Sequence, residues 1–284
     1  MKQEKFYTFT YDLMFCEVLN NNPDIAKRII EIILDKKIRK IENVEVQKNE
    51  NYSLNSRGVR FDVFVKDDEN THYDVEIQTS RFHELPKRMR YYQSANDSTY
   101  IKRGDDFESL PESYIIFLCT KDPFGLGESI YRFKTNCLEY PQMNYNEGAY
   151  KIVLNSQGKR NNISKELNDF LNYIETNTPV DNLSNNINDR VIEINSNSDW
   201  RHQIMTLEDK IRIERKTARE EGKAEGKEEG RIEGKAEGRI EGKAEGRAEG
   251  IKEGEERTRN LVAKRLKEVL GLSDEQIKEI INEK

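Results

Sequence analysis

The sequence predicts an α/β domain over residues 1–175, followed by a low-complexity tail. Three observations favour this class: apolar residues at helical spacing near the start, strand-like alternation between residues 59 and 78, and an apolar run at 113–119. The chain has 284 residues, of which 35% are hydrophobic and 35% charged, and its polar excess lies after residue 175. We therefore predict one globular domain with additional material behind it.

Two helices are predicted first, within residues 10–36. Two apolar stripes at helical spacing are separated there by Asn20-Asn21-Asn22-Pro23. Asn22 is the expected cap of the second helix, and Pro23 suits its first turn because proline lacks only an amide that would be unpaired there. Residues 41–48 alternate between apolar and polar side chains and predict a strand.

A β-hairpin is predicted next. Residues 59–65 and 73–78 have strand patterns, and the polar segment 66–72 between them is short enough for an antiparallel turn. Because side chains alternate along a strand, Asp62, Glu76 and Gln78 should share one face. The opposite, apolar face should carry Phe61, Val63, Val65, Val75 and Ile77.

The rest of the domain reads as a helix at 83–100, a buried strand at 113–119, strands at 129–134 and 150–154, and an amphipathic helix at 163–175. Residues 176–200 are rich in Asn, Asp and Ser, which predicts a linker or loop. The predicted divisions are a domain at 1–175, a linker at 176–207, a charged repeat at 208–256 and a helical hairpin at 257–284.

Composition narrows the classes of function. The formal net charge of −6 provides no bulk positive field, so any binding of nucleic acid must depend on a local basic patch. Cys16, Cys119 and Cys137 form no CxxC pair, which suggests neither a disulfide framework nor a zinc site and fits a reducing cytoplasm. We expect no signal peptide and no membrane span, since no sufficiently long apolar run occurs.

The polar face of the hairpin suggests metal-assisted hydrolysis. Carboxylates on neighbouring strands, here Asp62 and Glu76, can share one Mg²⁺ (or Mn²⁺), with the backbone carbonyl of Ile77 as a further ligand. Such an ion neutralises charge on a phosphodiester and activates water, while Gln78 could reach that water or the phosphate. The alternative is an ordinary solvent-facing side of an antiparallel sheet.

The segment after the hairpin is basic and aromatic. Such residues contact DNA phosphates even in an acidic protein, and the alternative is an amphipathic helix with a solvated basic face. The candidate DNA-binding residues are Arg81, Lys87, Arg88, Arg90, Tyr91, Tyr92, Lys102 and Arg103.

Four short segments carry a resemblance to a known family: residues 11–15 (Tyr-Asp-Leu-Met-Phe), 60–62 (Arg-Phe-Asp), 73–78 (Tyr-Asp-Val-Glu-Ile-Gln) and 87–92 (Lys-Arg-Met-Arg-Tyr-Tyr). In order and spacing they resemble the Rpn family of recombination-promoting nucleases, also called PD-(D/E)XK nuclease family transposases. The resemblance extends over residues 7–175.

The resemblance implies a restriction-endonuclease-like core, which is a mixed central sheet flanked by helices, and Mg²⁺-dependent cleavage of DNA. It implies that Asp62 and Glu76 bind the metal and that Gln78 stands at the position of the usual lysine. An additional acid from the first helix would be Asp12 or Glu17, and the sequence leaves that choice open.

Two departures from the broader pattern affect the functional reading. Gln78 is neutral where a lysine is usual, so it can orient groups only through hydrogen bonds, and Phe61 stands where a proline would precede the aspartate. The resemblance implies an endonuclease that promotes recombination or element mobility. The alternative is a non-catalytic DNA-binding or oligomeric regulatory protein on a decayed nuclease fold.

The tail repeats every four residues. Nine glycines recur from Gly222 to Gly254, and at about 1 kcal/mol each relative to alanine they cost a helix on the order of 9 kcal/mol. Like charges recur at i,i+4, while opposite charges mostly lie two residues apart. We expect this segment to be mostly disordered in the monomer. It either self-associates or is a flexible spacer. In an associated helix the row of glycines would drift in the sense of a right-handed supercoil, because its period of four residues exceeds 3.6. A repeat without a specific role is the remaining alternative.

The chain should close with a small helical hairpin at 259–284. Gly271 is expected to stop the first helix. Ser273 and Gln276 form a capping-box pattern for the second, which carries Ile277, Ile280 and Ile281.

Overall fold

The computed structural model describes residues 5–50, 59–80 and 84–282, and these divide into two compact units after His202. The helices in these ranges are α1 (Asp12–Asn21), α2 (Pro23–Leu34), α3 (Leu85–Tyr100), α4 (Lys165–Thr176), α5 (Asn182–Ser196), α6 (Ser198–Leu270) and α7 (Asp274–Asn282). The strands are β1 (Ile41–Glu50), β2 (Val59–Asp67), β3 (His72–Gln78), β4 (Ser113–Cys119), β5 (Ile130–Phe133) and β6 (Ala149–Asn155). No helix in the part that the structure describes is both long and apolar enough to cross a lipid bilayer.

The six strands form one mixed sheet in the order β1-β2-β3-β4-β6-β5. The β1–β2, β2–β3 and β5–β6 pairs are antiparallel, whereas β3–β4 and β4–β6 are parallel. The predicted hairpin of β2 and β3 is confirmed, and its strands extend further into the turn than expected. Parallel β3 and β4 are joined by α3, because a parallel pair needs a crossover connection. A mixed sheet flanked by helices agrees with the predicted α/β class.

The sheet is covered on both faces. On one face α3 packs over β4, and a buried cluster joins them: Phe61, Phe64, Leu85, Met89, Tyr92, Ala95, Ile115, Phe117, Cys119 and Val153. On the other face α2 lies near β4 and β6, where Leu34, Tyr114 and Ile152 line a common cavity. Helix α5 contacts α1, α2 and α4. Burial on both faces explains why residues 113–119 are apolar throughout.

One predicted face assignment is wrong. Phe61 does not share the face of Val63 and Val65, because its ring lies 5.4 Å from that of Tyr92 on α3. The β1–β2 pairing keeps its register from Val46–Val63 to Lys48–Phe61. Between those pairs Gln47 has a left-handed backbone with φ of 51°. This local distortion, opposite Asp62, interrupts the alternation that the prediction assumed.

Asn22 is the N-cap residue of α2, as predicted, and its side-chain amide donates to the carbonyl of Val18 at the end of α1. The prediction for the segment after residue 175 is corrected. Residues 176–200 were predicted to be a linker, whereas α5 occupies most of them. A capping box between Asp181 and Ser184 starts α5, so the first unit continues beyond residue 175.

The tail is helical, which contradicts the expectation of a mostly disordered segment. Helix α6 is continuous through the glycine repeat, where Ala, Glu, Lys and Arg are strong helix formers. Where Glu228 replaces the apolar residue of the repeat, it forms an i,i+3 ion pair with Arg231. The predicted stop at Gly271, with φ of 62°, and the capping box of Ser273 and Gln276 are both present.

Candidate active site

The candidate site lies where β2 and β3 stop pairing. Their backbone ladder runs from Lys66–His72 to Val63–Val75. Beyond it, the backbone N–H of Asp62 donates to Oε1 of Glu76 at 2.8 Å. In return the N–H of Ile77 donates to Oδ2 of Asp62 at 3.2 Å. The two carboxylates thus take over the acceptor role of backbone carbonyls and are held beside each other on adjacent strands.

Arg88 of α3 completes this arrangement. Its Nη2 donates to Oε2 of Glu76 at 2.8 Å, and its Nη1 donates to Oε1 of Gln78 at 2.8 Å. Nη2 also donates to the hydroxyl of Tyr92 at 2.7 Å. The guanidinium carbon lies 4.9 Å from the Tyr92 ring centre and 5.2 Å from that of Phe117. Ion pairing, hydrogen bonding and ring contacts therefore fix the guanidinium between α3 and β3.

The carboxylates of β3 are deeply buried. Glu76 is fully buried and Asp74, two residues earlier on the same face, is 2% exposed. Burial raises the pKa of Glu76 to about 8; the nearby charge of Asp62 adds to this, and Arg88 opposes it. Burial, with the charge of Glu76, also raises the pKa of Asp74 well above its usual value.

Asp74 is poorly satisfied when it is ionised. Neither of its carboxylate oxygens has a hydrogen-bond partner among the residues that the structure describes. A hydrogen bond to Glu76 becomes possible only when one of the two carboxyls is protonated. Only if all three were ionised would Asp62, Asp74 and Glu76 carry more negative charge than Arg88 balances, and the raised pKa values of Asp74 and Glu76 oppose that state.

The donor set fits a divalent cation of the magnesium type. Mg²⁺ prefers oxygen ligands and is commonly held by one or two carboxylates with several waters, which Asp62 and Glu76 could provide. Across residues 5–50, 59–80 and 84–282, no three His, Cys, Asp or Glu side chains are arranged to hold one ion. The fit therefore rests on the two adjacent carboxylates of Asp62 and Glu76.

The first helix passes close to this site, but neither of its two candidate acids joins a metal-binding cluster among the described residues. Cys16 donates its Sγ–H to the carbonyl of Asp62 at 3.3 Å, which places α1 beside β2. Asp12 is exposed one turn earlier. Glu17 accepts a hydrogen bond from the Asn21 amide at 2.9 Å. The structure does not gather either acid into a three-acid cluster with Asp62 and Glu76.

The predicted DNA-binding residues divide into two groups. Lys87, Arg90 and Tyr91 are exposed on α3, and Lys102 and Arg103 are exposed just after it. Arg88 and Tyr92 instead lie within the acidic site, where Arg88 donates to Glu76 and to the hydroxyl of Tyr92. Arg81 lies outside the described residues.

Sequence reasoning did not assign three residues to the acidic site: Asp74, Arg88 and Tyr92. Asp74 lies two residues before Glu76, so alternation along the strand already indicated that the two side chains share a face. A polar residue beside a turn nevertheless normally faces solvent. Arg88 and Tyr92 are four residues apart and therefore neighbours on a helix, but only the packing of α3 shows that they face the carboxylates.

Comparisons with known proteins identify the family of the chain. No curated protein and no solved structure matches the chain. The family model described as PD-(D/E)XK nuclease family transposase matches residues 6–195, which is more than half of the chain. Its match includes all but the last residue of α5, as well as both strands of the site. The chain therefore belongs to the PD-(D/E)XK nuclease family transposases.

Proposed function

We propose that this chain is a divalent-metal-dependent endonuclease that hydrolyses phosphodiester bonds in DNA and thereby promotes recombination or element mobility. One observation carries the proposal: reciprocal hydrogen bonds hold Asp62 and Glu76 together at the open end of the β2–β3 ladder, in a chain of this nuclease family. Asp62, Glu76 and the backbone carbonyl of Ile77 would hold Mg²⁺ or Mn²⁺. When bound, such an ion neutralises phosphate charge and lowers the pKa of water.

The side chains contribute position and charge. The backbone N–H groups of Asp62 and Ile77 fix the two carboxylates, so these need little reorganisation before reaction. The amide of Gln78, on the same strand face as Glu76, would orient the attacking water or the phosphate through hydrogen bonds. Hydrolysis forms one bond from the water oxygen to phosphorus and breaks one bond to a sugar oxygen. The water loses a proton and the leaving oxygen gains one.

DNA would approach the exposed basic side of α3. Lys87, Arg90 and Tyr91 are exposed there, and Lys102 and Arg103 follow the helix. Because the net charge is −6, this local patch must supply the phosphate contacts. Contacts of this kind position a duplex without reading its sequence.

Nicking of supercoiled plasmid DNA tests the proposal directly. The wild-type chain should nick with Mg²⁺ or Mn²⁺ and stop with EDTA. Asp62→Ala should lose at least about a hundredfold in rate, as expected when a group that supports the transition-state charge is removed. Asp62→Asn keeps an acceptor for the Ile77 N–H and should be equally inactive. Asp189→Asn, at an exposed site on α5, is the matched control and should nick normally.

The outcomes separate the two candidate functions. Undiminished nicking by a folded Asp62→Ala protein would defeat the site assignment. A folded wild-type chain that binds DNA but never cleaves it would favour a non-catalytic DNA-binding protein on the same fold. The melting temperature of each variant shows whether it is folded.

A further inference from the structure

The neutral residue at position 78 leaves a charge to be accounted for. In the broader nuclease pattern a lysine on the strand brings a cation beside the acidic residue two positions earlier, whereas Gln78 brings only an amide. A cation is nevertheless present at that place. The guanidinium of Arg88 lies 2.8 Å from Gln78 Oε1 and 2.8 Å from Glu76 Oε2.

We propose that Arg88 supplies from α3 the phosphate-facing positive charge that strand position 78 lacks, and that Gln78 and Arg88 act as one unit. This inference rests on the proposed nuclease function and deepens it. Gln78 is then a positioning residue for Arg88, rather than a weakened substitute for lysine.

The chemistry of guanidinium suits this role. Arginine stays protonated in proteins and presents its donors in a planar fork that matches phosphate oxygens. Arg88 therefore cannot act as a base, but it can stabilise negative charge that develops on the phosphate. Side chains on both sides of Arg88 along the helix, Leu85 and Met89, are buried against the sheet and fix the position of α3.

The contact with Gln78 makes the two positions interdependent. The oxygen of Gln78 accepts from Arg88, so a lysine there would place an ammonium group beside the guanidinium at hydrogen-bonding range. Two like charges at that separation repel each other. A lysine at position 78 and an arginine at position 88 should therefore be poorly compatible, while either one alone supplies one cation.

A double-mutant cycle tests this relationship. Wild type, Arg88→Met, Gln78→Lys and the double variant would be compared by kcat and KM for nicking at saturating Mg²⁺. Arg88→Met should lose about a hundredfold in kcat, and Gln78→Lys should also be impaired. The double variant carries one cation again and should recover to within about tenfold of wild type.

A matched control separates charge at the site from general attraction to DNA. Arg90→Met, two residues away on the exposed side of α3, should raise KM and reduce the salt dependence of binding by about one phosphate contact. Arg88→Met should act chiefly on kcat. Melting temperatures identify any variant that is not folded.

Three results would overturn the inference. The first is a folded Arg88→Met variant that keeps wild-type kcat, and the second is a double variant no better than the worse single one. If Arg88→Met does not fold, Arg88→Lys is measured instead, and its point charge should keep kcat within about tenfold of wild type. The third contradicting result is an Arg88→Lys variant whose loss of kcat is as large as that of Asp62→Ala. A wild type that does not cleave would overturn the proposed function, and this inference with it.

Discussion

Glu76 combines complete burial with two neighbouring carboxylates, and this has a consequence for stability. Its pKa is raised to about 8 by burial and by Asp62, despite the ion pair with Arg88. In the unfolded chain the same carboxyl titrates near its ordinary pKa of about 4.3. Between these values this carboxyl holds more protons in the folded state than in the unfolded state, so its contribution to the free energy of unfolding falls as pH rises.

We predict that in EDTA the wild type loses stability as pH increases from about 5 to about 8, and that Glu76→Gln reduces this loss. Urea unfolding at pH 5, 6.5 and 8 would measure it. The informative quantity is the difference in unfolding free energy between wild type and Glu76→Gln at each pH. In that difference the effects of groups common to both proteins cancel, such as that of buried His72, whose pKa is lowered to about 4. At pH 8 Mg²⁺ should stabilise wild type more than Glu76→Gln. Parallel pH profiles would contradict the buried-acid description.

For single residues, the sequence predicts which strand side chains are neighbours better than it predicts their burial or their contacts with other elements. Alternation predicts that Asp62 and Glu76 lie together, and hydrogen bonds between the two strands join them even though the pairing is distorted opposite Asp62. The burial of Asp74 depends on α3 covering that face, and the ion pair of Arg88 depends on the same packing. Neither can be deduced from the spacing of residues in one strand.

Helix α5 shows why local composition misled the prediction for residues 176–200. The segment is rich in Asn, Asp and Ser, which favour caps and loops. Its buried residues Leu183, Ile187 and Val191 nevertheless recur every four positions, and Asp181 with Ser184 forms a capping box. The polar composition obscures this spacing and the capping box in the sequence. Packing of the buried residues against α1, α2 and α4 favours the helix.

Asn195 ties α5 to the start of the chain. Its Oδ1 accepts from the Tyr7 N–H at 2.9 Å, and its Nδ2 donates to the Tyr7 carbonyl at 2.9 Å. We predict that Asn195→Ala lowers the free energy of unfolding by about 1–3 kcal/mol, because it leaves buried backbone groups of Tyr7 unsatisfied. Urea denaturation would measure this loss. The control Asn186→Ala, at an exposed position on α5, should change the free energy of unfolding by less than about 0.5 kcal/mol. If both variants lose the same stability, the hydrogen bonds between Asn195 and Tyr7 do not stabilise the fold.

At the scale of the whole molecule, the geometry of the repeat argues against a continuous coiled coil along α6. At about 100° per residue, four residues advance about 40° beyond one turn and rise about 6 Å. A row of glycines therefore circles the helix in about nine repeats, or about 54 Å. Two-stranded coiled coils have a pitch of about 150 Å, so one row cannot stay at an interface without far tighter winding. The repeat accordingly suits a spacer better than a long self-association seam.

We predict that the helicity of a 208–284 fragment does not depend on concentration, and that it is limited by the glycines themselves. A Cβ added at Gly226, Gly234, Gly242 or Gly250 would meet nothing within 4 Å. Replacing all four with alanine should therefore stabilise the helix by about 4 kcal/mol, without a clash. Circular dichroism melts at 222 nm over a hundredfold range of concentration would test both statements. A midpoint that rises with concentration would show that association, rather than intrinsic propensity, supports the helix, because dilution opposes only an intermolecular contact.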